Sequence, residues 1–219
     1  MKGCTFVQPF FIVSSQAHNR EITMSLKKLI LILASFFAMP LAHATDNNDA
    51  YAIKGAGITS CSNFIKSAQN KDKTLYIYGG WIEGYFTASN QHFQDTFDLA
   101  PWQTTQLLLK IVESVCTKNP SLKFHQVLNS MAVEMGKQRL NKGGKFVKIN
   151  DSLNYVLQEE VIARMKHALK AKGYYSGEIN GTYGDSIKTA IKRFQKEVGQ
   201  PETGLPDQGT LYELFKPNQ

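Results

Sequence analysis

Six side chains between Tyr174 and Gln195 carry the chemistry of a binding surface. Tyr174, Tyr175 and Tyr183 offer flat aromatic faces, Asn180 and Gln195 offer amides, and Arg193 offers a guanidinium. A tyrosine ring stacks on a flat apolar face while keeping a polar tip, and an arginine fork grips a carboxylate through two parallel hydrogen bonds. This is equipment for holding a ligand.

The elements that must position these residues are short. Val161, Ile162, Met165, Ala168 and Leu169 recur at spacings of three and four, which predicts a half-buried helix. Gly173 ends it where the backbone must turn left-handed. Asn180-Gly181 predicts a turn, and Asp185 is placed to cap the next helix. Ile187, Ala190, Ile191, Phe194 and Val198 form one apolar stripe. Gly199 and Pro201 stop that helix, and Asp207 caps a last one that buries Leu211 and Leu214. The expectation is a small three-helix core needing no metal, cofactor or cysteine. Within it one tyrosine of the 174/175 pair closes the core, Gln195 holds a turn or faces ligand, and Arg193, next to Phe194, is exposed.

The motifs Tyr174-Tyr175-x-Gly177, Asn180-Gly181-x-Tyr183-Gly184, Ala190-Ile191-x-x-Phe194-Gln195 and Thr203-Gly204-x-x-Asp207-x-x-Thr210 carry a resemblance. Over roughly Val156 to Phe215 the chain resembles the peptidoglycan-binding domain found at one end of many cell-wall proteins. The resemblance implies peptidoglycan as partner, with tyrosine rings against sugar faces and amide or guanidinium donors toward peptide carboxylates. One departure is Ile187, where the family usually has threonine: the β-branched shape stays and a hydroxyl is lost. A single such module would bind weakly, so its benefit is tethering.

The front of the chain reads as an export signal. Lys27 and Lys28 precede an apolar run from Leu29 to Leu41, and Ala42-His43-Ala44 fits a small-x-small cleavage pattern. The run of 13 residues is short against the about 20 that span a membrane. We read Met24 as the true start; a long positively charged lead is the alternative. Cleavage after Ala44 places the mature chain in the periplasm and sends it out with no stable membrane span.

Removing residues 1–44 lowers 25 basic and 18 acidic side chains to 21 and 17, so net charge falls from +7 to +4. That mild excess suits either anionic wall polymers or a membrane surface, and most of the charges are read as a solvated surface. Nucleic-acid binding needs a basic stripe interleaved with aromatics, which this sequence lacks. Cys4 lies ahead of the signal, leaving Cys61 and Cys116 as an even pair in an oxidising space. A disulfide is expected. The alternative, a redox or metal site, wants Cys-x-x-Cys or a nearby histidine pair, and the sequence holds neither.

The middle of the chain predicts four helices. One begins at Ser60-Cys61-Ser62. A second runs from Tyr76 to Ser89, with Gly80 and Gly84 marking close packing of another helix. A third opens at Pro101-Trp102 with a stripe of Leu107, Leu108, Ile111, Val112 and Val115, and a fourth starts at Pro120-Ser121 and carries Phe124, Val127, Leu128, Met131 and Met135. The aromatics are read as core. Cys61-x-x-Phe64-Ile65, Gly80-Trp81-x-Glu83-Gly84 and Cys116-x-x-x-Pro120 are similar to small HdeA-like periplasmic proteins and to some toxin-immunity proteins. That resemblance implies a periplasmic protein partner for residues 50–140.

Catalysis finds little support. His92, His125 and His167 are isolated, without the spacing of zinc ligands. Glu83 is the one acid in a strongly apolar helix, readable as a general acid or as a half-exposed helix residue. We expect no catalytic residue and no enzyme activity. The expected fold is all-α: a signal region over 1–44, a disulfide-linked four-helix domain over 45–140, a Lys- and Gly-rich linker over 141–152 and a three-helix domain over 153–219.

Overall fold

The computed structural model describes residues 50–150 and 155–216, so the expected signal, Met24 and Cys4 lie outside the described residues. From Ala52 onward the chain forms one compact unit. It is mostly helical, with seven α-helices and one two-stranded sheet among the described residues.

The first half opens on a 3₁₀ turn, Gly55–Ile58, followed by α1 (Cys61–Asn70), α2 (Thr74–His92), α3 (Thr105–Lys118) and α4 (Phe124–Gly136). Ser60 caps α1, its Oγ accepting the Asn63 N–H at 3.3 Å. The Cys61–Cys116 disulfide ties the start of α1 to the end of α3, and both cysteines are fully buried. Beside it Phe64, Tyr78 and Phe124 cluster, with ring centroids 4.7 to 5.2 Å apart. The expected aromatic core is there in part: Phe64, Tyr78, Phe86 and Phe124 are buried, while Tyr76, Phe93 and Phe97 are exposed.

Three helix details differ from expectation. Thr104, not Pro101, begins α3: its hydroxyl accepts the Leu107 N–H at 3.3 Å, and Pro101-Trp102 stays in the preceding loop. Helix α4 starts at Phe124, three residues past Ser121, because the Lys123 N–H is taken by Gln126 Oε1 at 2.9 Å and the Phe124 N–H by Thr59 O at 2.9 Å. Gly80 and Gly84 are exposed, and a Cβ on either would touch nothing within 4 Å. The close approach is one residue earlier, at Gly79, where a Cβ would meet Thr105 Cγ2 at 3.4 Å. Tyr78, Ile82 and Phe86 face the core with it, turning the glycine pair outward.

The second half contains β1 (Phe146–Asn150), β2 (Tyr155–Gln158), α5 (Glu159–Ala171), α6 (Asp185–Glu197) and α7 (Gln208–Phe215). The expected linker is thus partly a strand: β1 pairs antiparallel with β2, Val147 opposite Leu157, with a register shift between Lys148 and Asn150. Ile149 and Leu157, with Leu140, are buried in one core with Ile162, Met165, Ile191, Phe194 and Leu211. Ile187 is fully buried there too, so the methyls that replace a family hydroxyl sit where apolar surface is wanted. Gly173 has φ +80°, the left-handed stop expected for α5. Asp185 is the first residue of α6 rather than its cap; Gly184 takes the cap position, and the Asp185 carboxylate lies 3.7 Å from Lys188 Nζ. Asp207 caps α7 as expected, accepting the Thr210 N–H at 2.8 Å.

The two halves touch. Gln208 donates to Trp102 O at 2.6 Å and accepts the Thr104 N–H at 2.8 Å. The rings of Trp102 and Phe215 lie 5.4 Å apart. Arg164 on α5 donates to the carbonyls of Gln138 and Arg139 at 2.5 and 3.1 Å.

Candidate binding face

The six expected site residues fall into three groups. Gln195 and Tyr175 are inside, at 0% and 8% exposure. Gln195 Nε2 donates to Leu205 O at 2.9 Å and Thr210 Oγ1 at 2.9 Å, while its Oε1 accepts the Gly204 N–H at 2.8 Å. Its amide is spent on the turn between α6 and α7. Tyr175 donates to Glu178 O at 3.0 Å and closes the loop after α5.

Asn180 and Tyr183 are half-buried and brace the turn before α6. Asn180 Oδ1 accepts from Thr182 N at 3.1 Å, Thr182 Oγ1 at 2.6 Å and Lys166 Nζ at 2.5 Å. Next to it, Gly181 leaves no room for a side chain: a Cβ there would sit 2.4 Å from Glu159 Cβ. Tyr183 donates to Gly204 O at 2.6 Å, and burial pushes its hydroxyl pKa up to about 12, so it stays a donor. Tyr155 does the same from β2, donating to Pro206 O at 2.6 Å; burial raises its pKa, helped by the charge of Asp207 and by Tyr183.

Tyr174 and Arg193 make the third group, and they share a surface. The Arg193 guanidinium carbon lies 5.8 Å from the Tyr174 ring centroid, and the guanidinium reaches Tyr174 O at 3.4 Å. The ring is set edge-on to buried Phe194, centroids 5.5 Å apart. Arg193 is exposed and has no carboxylate partner among the described residues. A flat ring beside an unpaired guanidinium can stack on an apolar face and grip an anionic oxygen together.

Sequence reasoning missed Lys166, which is nearly fully buried and held by Asn180 Oδ1 and, at 3.2 Å, Thr182 Oγ1. Its signal is position: Ile162, Lys166 and Leu169 are spaced along one inward helix face. Elsewhere, Glu83 is exposed and accepts the Thr105 hydroxyl at 2.5 Å. His125 Nδ1 is 3.0 Å from Gly57 O, while His92 and His167 are exposed. No group of three or more His, Cys, Asp or Glu among the described residues is placed to hold a metal ion. No helix among them is long and apolar enough to cross a membrane.

Residues 158–214 match the family model described as "Putative peptidoglycan binding domain". This part of the chain is similar to a peptidoglycan-binding domain. The match spans about a quarter of the 219 residues and includes α5, α6 and α7 almost whole. No curated protein and no solved structure matches the chain. The peptidoglycan-binding-like domain contains Tyr174, Arg193 and the turns that Gln195, Asn180 and Tyr183 hold in place.

Proposed function

We infer that this is a non-catalytic periplasmic protein that binds peptidoglycan through its C-terminal domain and thereby keeps the α1–α4 half at the cell wall. The observation that carries this is the pairing of exposed Arg193 with the half-buried Tyr174 ring on the matched segment. Peptidoglycan supplies sugar faces for the ring and stem-peptide carboxylates for the guanidinium. One small module binds such a polymer weakly, but repeated sites along the wall raise its effective concentration. The test is co-sedimentation of the full chain with purified sacculi. Wild type pellets with them, and Arg193→Glu pellets several-fold less while its circular dichroism melt is unchanged. Sedimentation of wild type no better than an inert control protein of similar charge overturns the reading.

A second reading gives the α1–α4 half its own protein partner, as an HdeA-like chaperone or a toxin-immunity protein. It is favoured by Tyr76 and Ile77, exposed at 83% and 61% on α2. Tyr76 borders a groove of about 670 Å³ that Phe64, Leu75 and Leu109 also line. An exposed apolar ring at the rim of an apolar groove is the kind of surface a protein partner would cover. Acid-triggered suppression of client aggregation, lost in Tyr76→Ser/Ile77→Ser, distinguishes a chaperone; capture of a toxin distinguishes an immunity protein.

A further inference from the structure

We propose that the cleft between the two halves is a separate site for the glycan strand of the same polymer, binding amino-sugar rings rather than stem peptide. This rests on the peptidoglycan reading above. The cleft has a volume of about 500 Å³, inside the range of roughly 300–1,000 Å³ usual for small-ligand sites. Trp102 and Leu107 line it from the first half, Tyr212 and Phe215 from α7. It exists only because the halves dock, and one wall lies outside the segment matched to the family.

Its polar chemistry points to an uncharged ligand. Both cations lining it are already ion-paired, Lys110 with Glu113 at 2.8 Å and Lys216 with Glu213. Its acid, Glu134, is paired with Lys137 at 2.5 Å. The neutral groups are the open ones: the Trp102 indole N–H, the Ser114 hydroxyl, the Gln138 side-chain amide and the Tyr212 hydroxyl have no hydrogen-bond partner among the described residues. Tyr212 is 44% exposed, so its ring is accessible. Aromatic faces next to unpaired neutral donors and acceptors match a pyranose with C–H faces, hydroxyls and N-acetyl groups. A stem peptide, which carries carboxylates, would have to compete with Glu113 and Glu213 for the lysines of this cleft.

The experiment uses the full chain and a soluble β-1,4-linked N-acetylglucosamine tetramer, followed by the indole N–H signals of its two tryptophans. Trp102→Phe assigns the pair. The expected result is that the Trp102 signal moves and saturates while Trp81 stays still. Tyr212→Ala should weaken the tetramer about fivefold with an unchanged melt, and Arg193→Glu should leave tetramer binding intact. A Trp102 signal unmoved at millimolar tetramer, or a Tyr212→Ala chain that binds as tightly as wild type, overturns the proposal. If sacculi still pellet the wild type in that case, the wall-binding reading stands without the cleft. If the tetramer binds but sacculi do not pellet the protein, the cleft stands as an amino-sugar site and the wall reading falls.

Discussion

The Gln195 carboxamide and the Gly204 backbone meet inside the C-terminal core, Oε1 accepting the buried N–H at 2.8 Å. A side chain that reads as ligand-facing in the sequence is the clasp that fixes the α6–α7 turn. Gln195→Met, similar in length and unable to reproduce the amide, orphans that N–H and strips a donor from Leu205 O and Thr210 Oγ1. Each buried polar group left unpaired costs about 1–3 kcal/mol. Urea unfolding of the variant should therefore show a loss of at least about 2 kcal/mol; a loss below about 0.5 kcal/mol would show that water replaces the amide.

Reduction should weaken the fold sharply. The Cys61–Cys116 bridge spans a sequence separation of 55, and closing a loop of that size is worth about 4 kcal/mol in the chain-entropy model. Cys61→Ala/Cys116→Ala should lower the urea midpoint accordingly, and oxidant should not rescue it.

Two glycine substitutions should move stability in opposite directions. Gly181→Ala drives a methyl to 2.4 Å from Glu159 Cβ and 3.0 Å from its Cα, an overpacking worth about 1–3 kcal/mol of destabilisation. Gly80→Ala meets nothing within 4 Å on an exposed helix face and should stabilise by about 0.5–1 kcal/mol. Paired thermal melts decide both.

Alkali should reveal the buried tyrosines. The folded Tyr183 pKa of about 12 exceeds its ordinary 10.0, so the unfolded chain releases this proton first. Stability is at full strength below pH 10 and falls as pH climbs from 10 toward 12. The rise at Tyr155 acts in the same direction. Tyr183→Phe costs about 1 kcal/mol at neutral pH for the lost hydrogen bond, and its urea midpoint should fall less steeply across that alkaline window.

Much of the helical framework was readable because apolar residues at three- and four-residue spacing leave few alternatives. Ile187, Ala190, Ile191 and Phe194 are buried along one stripe, as their spacing predicts. The Thr203-Gly204 turn and the Asp207 cap were equally plain. What the pattern hides is which neighbour arrives. Gly80 and Gly84 read as a packing face only if a helix crosses there, and the crossing is at Gly79. Phe146, Val147 and Ile149 fall inside the expected linker; antiparallel pairing with Tyr155–Gln158 makes them strand. Gln195 sits one step from Phe194, where period alone cannot tell a solvated edge from an amide covered by α7. Of the six site residues, the exposure of Arg193 was legible from its place beside the stripe; which of Tyr174 and Tyr175 turns inward, and that Arg193 stacks on Tyr174, was not. The interhalf cleft was not legible, since its walls come from residues about a hundred positions apart.

Leu140 and Ile149 are inner members of the second core, yet both precede residue 158, where the family match begins. An excised fragment trimmed to the family's borders would therefore carry an aliphatic wound on its flank, and its failure to bind would say nothing about the intact chain. Bench boundaries for this module belong upstream of Leu140, in the helices that its own sequence signature never mentions.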